Sequence, residues 1–123
     1  MKNLIASVIL GLLMISSIVG FSQEAKTIKL EQTPGKFETT ELKLKAGESY
    51  VFEVTNKGVD HKVGFVVAPE GKTEQENHVQ SAYLSKTIKN GETAKSKVVT
   101  LEEGEYVFFC PLNPTPQYKI IVE

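Results

Sequence analysis

Apolar and polar residues alternate with a period of two along most of the chain beyond residue 26, the signature of strands with one buried face. Thr27-Ile28-Lys29-Leu30 alternates until Thr33-Pro34-Gly35 breaks it, and Leu42-Lys43-Leu44-Lys45 alternates until Ala46-Gly47-Glu48 turns the chain. Tyr50, Phe52 and Val54 share one face of the next strand and Glu53 and Thr55 the other, up to the turn Asn56-Lys57-Gly58. Residues 63–67 form a denser apolar run that fits a strand buried on both sides, closed by Ala68-Pro69-Glu70-Gly71. Residues 73–84 turn polar; Thr73 with Glu76 makes a capping box, Val79 and Tyr83 lie one helical turn apart, and the spacing predicts one short surface helix. Turns at Asn90-Gly91 and Glu103-Gly104 flank a strand over residues 97–101, and two final strands follow over 106–110 and 118–122. Turns recur every eight to twelve residues with no strand–helix alternation. The pattern predicts an all-β Greek-key sandwich of about seven or eight strands with one short helix.

The N-terminus departs from this pattern. Lys2 precedes an apolar run over residues 4–19, and Gly20-Phe21-Ser22 puts small side chains where a signal peptidase reads them before Gln23. Residues 1–22 therefore read as a cleaved signal peptide and residues 23–123 as one mature domain, periplasmic or secreted. The apolar stretch is short for a membrane span, so none is expected in the mature protein, and no cysteine lies near the cut to carry a lipid. A length of 123 residues leaves room for a single domain, expected to be a monomer. With 41% hydrophobic and 24% charged residues the composition supports a core and excludes a disordered or collagen-like chain. The 14 basic residues are all Lys and face 15 acids, which leaves no guanidinium to grip phosphate and argues against nucleic acid as a partner.

Cys110 is the only cysteine, so an internal disulfide is excluded. A metal ligand, a reactive or intermolecular thiol, and an inert core residue all remain open for it. Tyr106, Phe108 and Cys110 point to one side of their strand, the side the aromatics need for burial, so Cys110 ends a core-facing row. The loop that follows, Pro111-Leu112-Asn113-Pro114-Thr115-Pro116-Gln117, carries three prolines that hold its shape nearly rigid.

Phe37, Leu42-Lys43-Leu44-Lys45-Ala46-Gly47-Glu48 and Val51-Phe52-Glu53-Val54-Thr55-Asn56 resemble the opening strands of the cupredoxins, the small blue-copper proteins. Asn56-Lys57-Gly58-Val59-Asp60-His61-Lys62-Val63 is similar to the segment that places that family's first copper-binding histidine. Gly104-Glu105-Tyr106-Val107-Phe108-Phe109-Cys110 is similar to the strand that delivers its copper thiolate. The resemblance covers nearly all of the mature domain. It implies an eight-stranded Greek-key sandwich with copper near one end, His61 and Cys110 as metal ligands, and a redox or copper-trafficking protein as partner.

The chain departs from the family where a second histidine and an axial methionine or glutamine are usual. The loop is as short as in the amicyanin-like members, which puts Asn113 in the histidine's place and Pro116 in the methionine's. Lys62 stands where the family often has an Asn that braces the cysteine loop. A blue-copper site uses a trigonal His₂Cys set with a long axial bond, whereas a thiolate and one imidazole satisfy Cu(I). Asn113 and Gln117 are the candidate additional ligands by type, and Asp60 either orients the His61 ring as a neighbouring carboxylate or simply forms the turn, the commoner role of an Asp there. His78 lies in a polar stretch and reads as a solvated surface histidine.

The reading that follows is an exported cupredoxin-like protein binding copper at a reduced His/Cys site, for copper handling or electron transfer. The alternative is a metal-free interaction module that uses the proline-rich loop. An enzyme is not expected: there is no Ser/His/Asp constellation, and two histidines are too few for most zinc hydrolase sites.

Overall fold

The computed structural model describes residues 24–113 and 115–123, so the signal peptide expected over residues 1–22 lies outside the described residues. Nine strands follow in chain order: β1 (Lys26–Thr33), β2 (Lys36–Phe37), β3 (Glu41–Leu44), β4 (Ser49–Asn56), β5 (Val66–Pro69), β6 (Thr93–Lys95), β7 (Val99–Thr100), β8 (Gly104–Phe109) and β9 (Tyr118–Val122). They form two sheets. One runs β2-β1-β4-β6, with β7 also paired to β4, and the other runs β3-β9-β8-β5. Two of the pairings, β1 with β4 and β3 with β9, are parallel, which obliges the chain to cross between sheets rather than fold back by hairpins alone.

The alternation that predicted the strands is the alternation that fills the core. Along β4 every second residue is buried, Tyr50, Phe52, Val54 and Asn56 in turn. Phe37 at the end of β2 meets Phe108 of β8 edge-to-face at 5.2 Å, and Phe52 of β4 meets Phe65 at 5.1 Å, so aromatic rings from both sheets lock the layers together. Gly35, at φ 76°, occupies the left-handed region that lets β1 turn tightly into β2.

Three local expectations change. The helix expected over residues 73–84 is instead two single 3₁₀ turns, Gln75–Asn77 and Gln80–Ala82, and the cap of the first, Glu74, makes no side-chain hydrogen bond. Between the turns, His78 and Val79 are extended, and the Val79 N–H donates to the Val67 carbonyl of β5 at 2.8 Å. That tertiary bond covers part of the outer edge of β5, which an isolated helix would leave bare. The strand expected at residues 63–67 begins at Val66; Val63 forms a separate bridge with Ile88, although residues 63–68 are all buried as expected. The strand expected at residues 97–101 shortens to β7, and an unforeseen β6 precedes it. Ser96 interrupts the two, accepting the Phe52 N–H on its hydroxyl at 2.9 Å and donating to the Lys97 carbonyl at 2.7 Å.

Candidate metal centre

β8 delivers Cys110 to the edge of the core, where the residue is 4% exposed. Its sulfur accepts three backbone N–H groups: Asn113 at 3.1 Å, Gly64 at 3.3 Å and Leu112 at 3.3 Å. Two come from the loop that follows the cysteine and one from the strand-like run before β5. The loop closes on itself as the Cys110 N–H donates to the Thr115 hydroxyl at 3.2 Å and that hydroxyl donates to the Pro116 carbonyl at 3.0 Å. Three N–H dipoles converging on one sulfur hold electron density on it, the arrangement that tunes a metal-bound thiolate.

Asn113 is brought to the sulfur, but only by its backbone. Its side-chain amide turns the other way, donating to the Gln32 Oε1 at 2.9 Å and to the Thr33 carbonyl at 3.4 Å. Gln32 in turn donates from Nε2 to the Gly64 carbonyl at 3.3 Å. At 0% and 5% exposure, Gln32 and Asn113 form a buried, hydrogen-bonded amide pair.

His61 is exposed and tethered through its backbone, whose carbonyl accepts from the Asn56 Nδ2 at 3.1 Å. Its ring Nδ1 lies 3.0 Å from the Lys62 carbonyl. A carbonyl only accepts, so Nδ1 carries a proton, and in the neutral ring the lone pair is on Nε2. The orienting partner expected of Asp60 is therefore a backbone carbonyl, and Asp60 itself is exposed. The chain that meets the sulfur is Gly64, three residues beyond His61, a backbone span of about 10 Å at most. Gln117 is exposed.

Tested against a blue-copper centre, this donor set does not fit. Cys110 is present as the thiolate donor, but the amide in the second imidazole's place is held by Gln32, and among the described residues no three His, Cys, Asp or Glu side chains converge as a metal site. His78, expected to be solvated, is instead clamped. Its Nε2 donates to the Thr73 carbonyl at 2.9 Å, its Nδ1 accepts the Tyr83 hydroxyl at 2.8 Å, and its ring packs edge-on to Phe109.

Gln32 and Gly64 were not among the expected site residues. The signal for Gln32 is its place in the alternation, since it shares with Ile28 and Leu30 the face of β1 that turns inward, where a polar side chain must find partners. Gly64 carries a weaker one, a glycine inside an apolar run where another backbone comes close; a Cβ there would sit 3.7 Å from Pro111.

A two-sheet sandwich with a cysteine following its penultimate strand is the layout that the sequence resemblance implies. The chain belongs to the cupredoxin-like domain family, which it matches over residues 4–122. Among solved structures it is similar to auracyanin A, a "blue" copper protein from Chloroflexus aurantiacus, at 17% identity and a TM-score of 0.67, over 81% of this chain and all (100%) of that one. It is similar also to auracyanin from Roseiflexus castenholzii, at 15% identity and TM-score 0.64, over 80% of this chain and 98% of that one. A purple cupredoxin from Nitrosopumilus maritimus aligns at 16% identity and TM-score 0.53, over 81% of this chain and 100% of that one. These likenesses establish the fold. No curated protein matches the chain. Among the described residues no helix is long and apolar enough to cross a membrane.

Proposed function

We propose that this is an exported copper-handling protein that takes up Cu(I) through Cys110, with His61 as second donor, and passes it to a protein partner. The observation that carries the reading is the hooded sulfur of Cys110, a soft donor kept in a prepared setting although the rest of a His₂Cys set is missing. With Nδ1 fixed by a carbonyl, the neutral His61 ring has its lone pair on Nε2, a tautomer that suits a metal ligand. Copper here is cargo rather than a resident redox centre, because a thiolate and an imidazole satisfy Cu(I) without the geometry that electron cycling requires. Blue and purple copper proteins share the fold, which supports copper as the metal. No catalytic role is proposed.

A partner would meet the apolar surface beside the cysteine. Leu112 is 50% exposed there, and it borders a groove of about 450 Å³ that runs past Gly64, Phe65, Tyr83 and Leu84. The test is anaerobic titration of the mature domain against a chromophoric Cu(I) chelator, beside Cys110→Ser and His61→Ala. One equivalent that Cys110→Ser loses and His61→Ala holds more weakly is the expected result. Failure of the unmodified domain to compete for copper would sink the proposal.

One observation favours a second reading, a metal-free interaction module. The Asn113–Gln32 pair closes the loop without any metal, and the surface from Pro111 to Pro116 is then the functional face. Under that reading copper leaves the melting temperature unchanged, whereas a ligand that binds only the folded state must raise it.

A further inference from the structure

We infer that Gln32 is a positioning residue for Cys110: it acts on the sulfur through Gly64 and Asn113 without touching it. The inference rests, for its copper consequence, on Cys110 being the copper donor.

Gln32 sits near the end of β1, in register with Asn56 of β4 and Phe37 of β2, and is completely buried. The two ends of its amide reach the two chain segments that meet at the sulfur. Nε2 donates to the Gly64 carbonyl at 3.3 Å, and Oε1 accepts from the Asn113 Nδ2 at 2.9 Å. These same two residues donate their backbone N–H groups to Cys110 Sγ, at 3.3 and 3.1 Å. One planar side chain therefore fixes two of the three donors around the sulfur, and it does so from a different strand, β1, anchored in the opposite sheet.

Burying an amide is costly unless both ends are paired, and a hydrocarbon of similar size would fill the same space without that risk. Here the pairing is complete and both partners are sulfur donors, so the polar choice is accounted for by orientation. Without Gln32, the Gly64 peptide and the Asn113 side chain each lose a buried partner and the hood around the sulfur loosens. Direct partners of metal ligands set affinity by roughly 10–100-fold when removed; Gln32 stands one bond further out, so a loss of Cu(I) affinity at the lower end, about tenfold, is expected for Gln32→Met, which keeps the volume and removes both hydrogen bonds.

The experiment is amide hydrogen exchange by NMR on the metal-free domain, followed by Cu(I) competition on the same samples. Gln32→Met is compared with Val99→Ala, a core truncation in β7 that lowers global stability away from the sulfur. The expected result is exchange at Gly64 and Asn113 at least tenfold faster in Gln32→Met than in Val99→Ala, with a copper affinity loss confined to Gln32→Met. Equal acceleration in both variants, or none in Gln32→Met, overturns the inference. Should Gln32→Met fail to fold, Asn113→Ala removes one arm only: Gly64 should stay protected while the amide of residue 113 speeds up, and loss of protection at neither site overturns it. If the unmodified domain binds no Cu(I), the copper reading fails, and the exchange rates alone still decide the role of Gln32.

Discussion

Asn113 takes the position at which the family resemblance implies a second histidine, and its work there is mechanical. Its side chain ties the cysteine loop to β1 through Gln32 and Thr33, while its backbone serves the sulfur. Asn113→Ala should therefore cost about 1–3 kcal/mol, because Gln32 Oε1 is left buried without a donor; urea unfolding with an unchanged slope would measure it. Asn56 has a comparable task on the other flank. Its amide donates to the His61 and Ile88 carbonyls at 3.1 and 3.2 Å, and its Oδ1 accepts the Val59 N–H at 2.9 Å. Asn56→Ala should lower stability by at least as much and release the loop that carries His61, visible as line broadening or shifted His61 resonances.

At the scale of elements, the stretch between β5 and β6 shows how a tertiary bond overrides a local preference. The capping-box pattern at Thr73 and Glu76 is a local signal, but a helix would withdraw the Val79 N–H from β5. The segment instead lies extended at Val79, buries Ala82 and is pinned by His78 between Thr73 and Tyr83. Val79 has φ −78°, and the preceding His78 is extended, so proline fits both backbones and Val79→Pro removes chiefly the N–H. A loss of about 1 kcal/mol is expected, together with faster amide exchange along β5 and no change in Cys110 contacts. Unaltered β5 exchange would show that the bond does not protect this edge.

At the scale of the whole molecule, the ion pairs lie on the surface and shape the pH dependence weakly. Glu48 is held below the ordinary carboxylate range by its hydrogen bond from Lys26, and Glu92 by the Lys89 backbone N–H. A lowered carboxylate contributes stability above its unfolded value and loses it as pH falls through the folded one. Lys26 and Lys119 are raised, by hydrogen bonds to Glu48 and Glu105, so their contribution is full below the ordinary lysine range and is lost as pH rises through the raised values. The contribution of these pairs to the melting temperature should fall gently in acid and in strong alkali and be largely lost in high salt. An acid or alkaline loss that high salt leaves unchanged would contradict this surface origin.

The sequence by itself determined most of the strands, their inward faces and the place of Cys110 at the end of a buried row, because period-two alternation and turn residues are local consequences of a half-buried sheet; the short strands β2 and β6 are too brief to show an alternation. It also marked His61 and Cys110 by resemblance and showed the second histidine to be missing. Only the tertiary structure decided what replaces it. Gln32 and Asn113 are far apart in the chain, and their pairing depends on how β1 of one sheet meets a loop closing the other. Gly64 under the sulfur and Val79 on β5 likewise depend on pairing between segments separated in the chain. These hydrogen bonds join groups that the fold, not the chain order, brings together, since a buried donor or acceptor must find its partner wherever the fold places one.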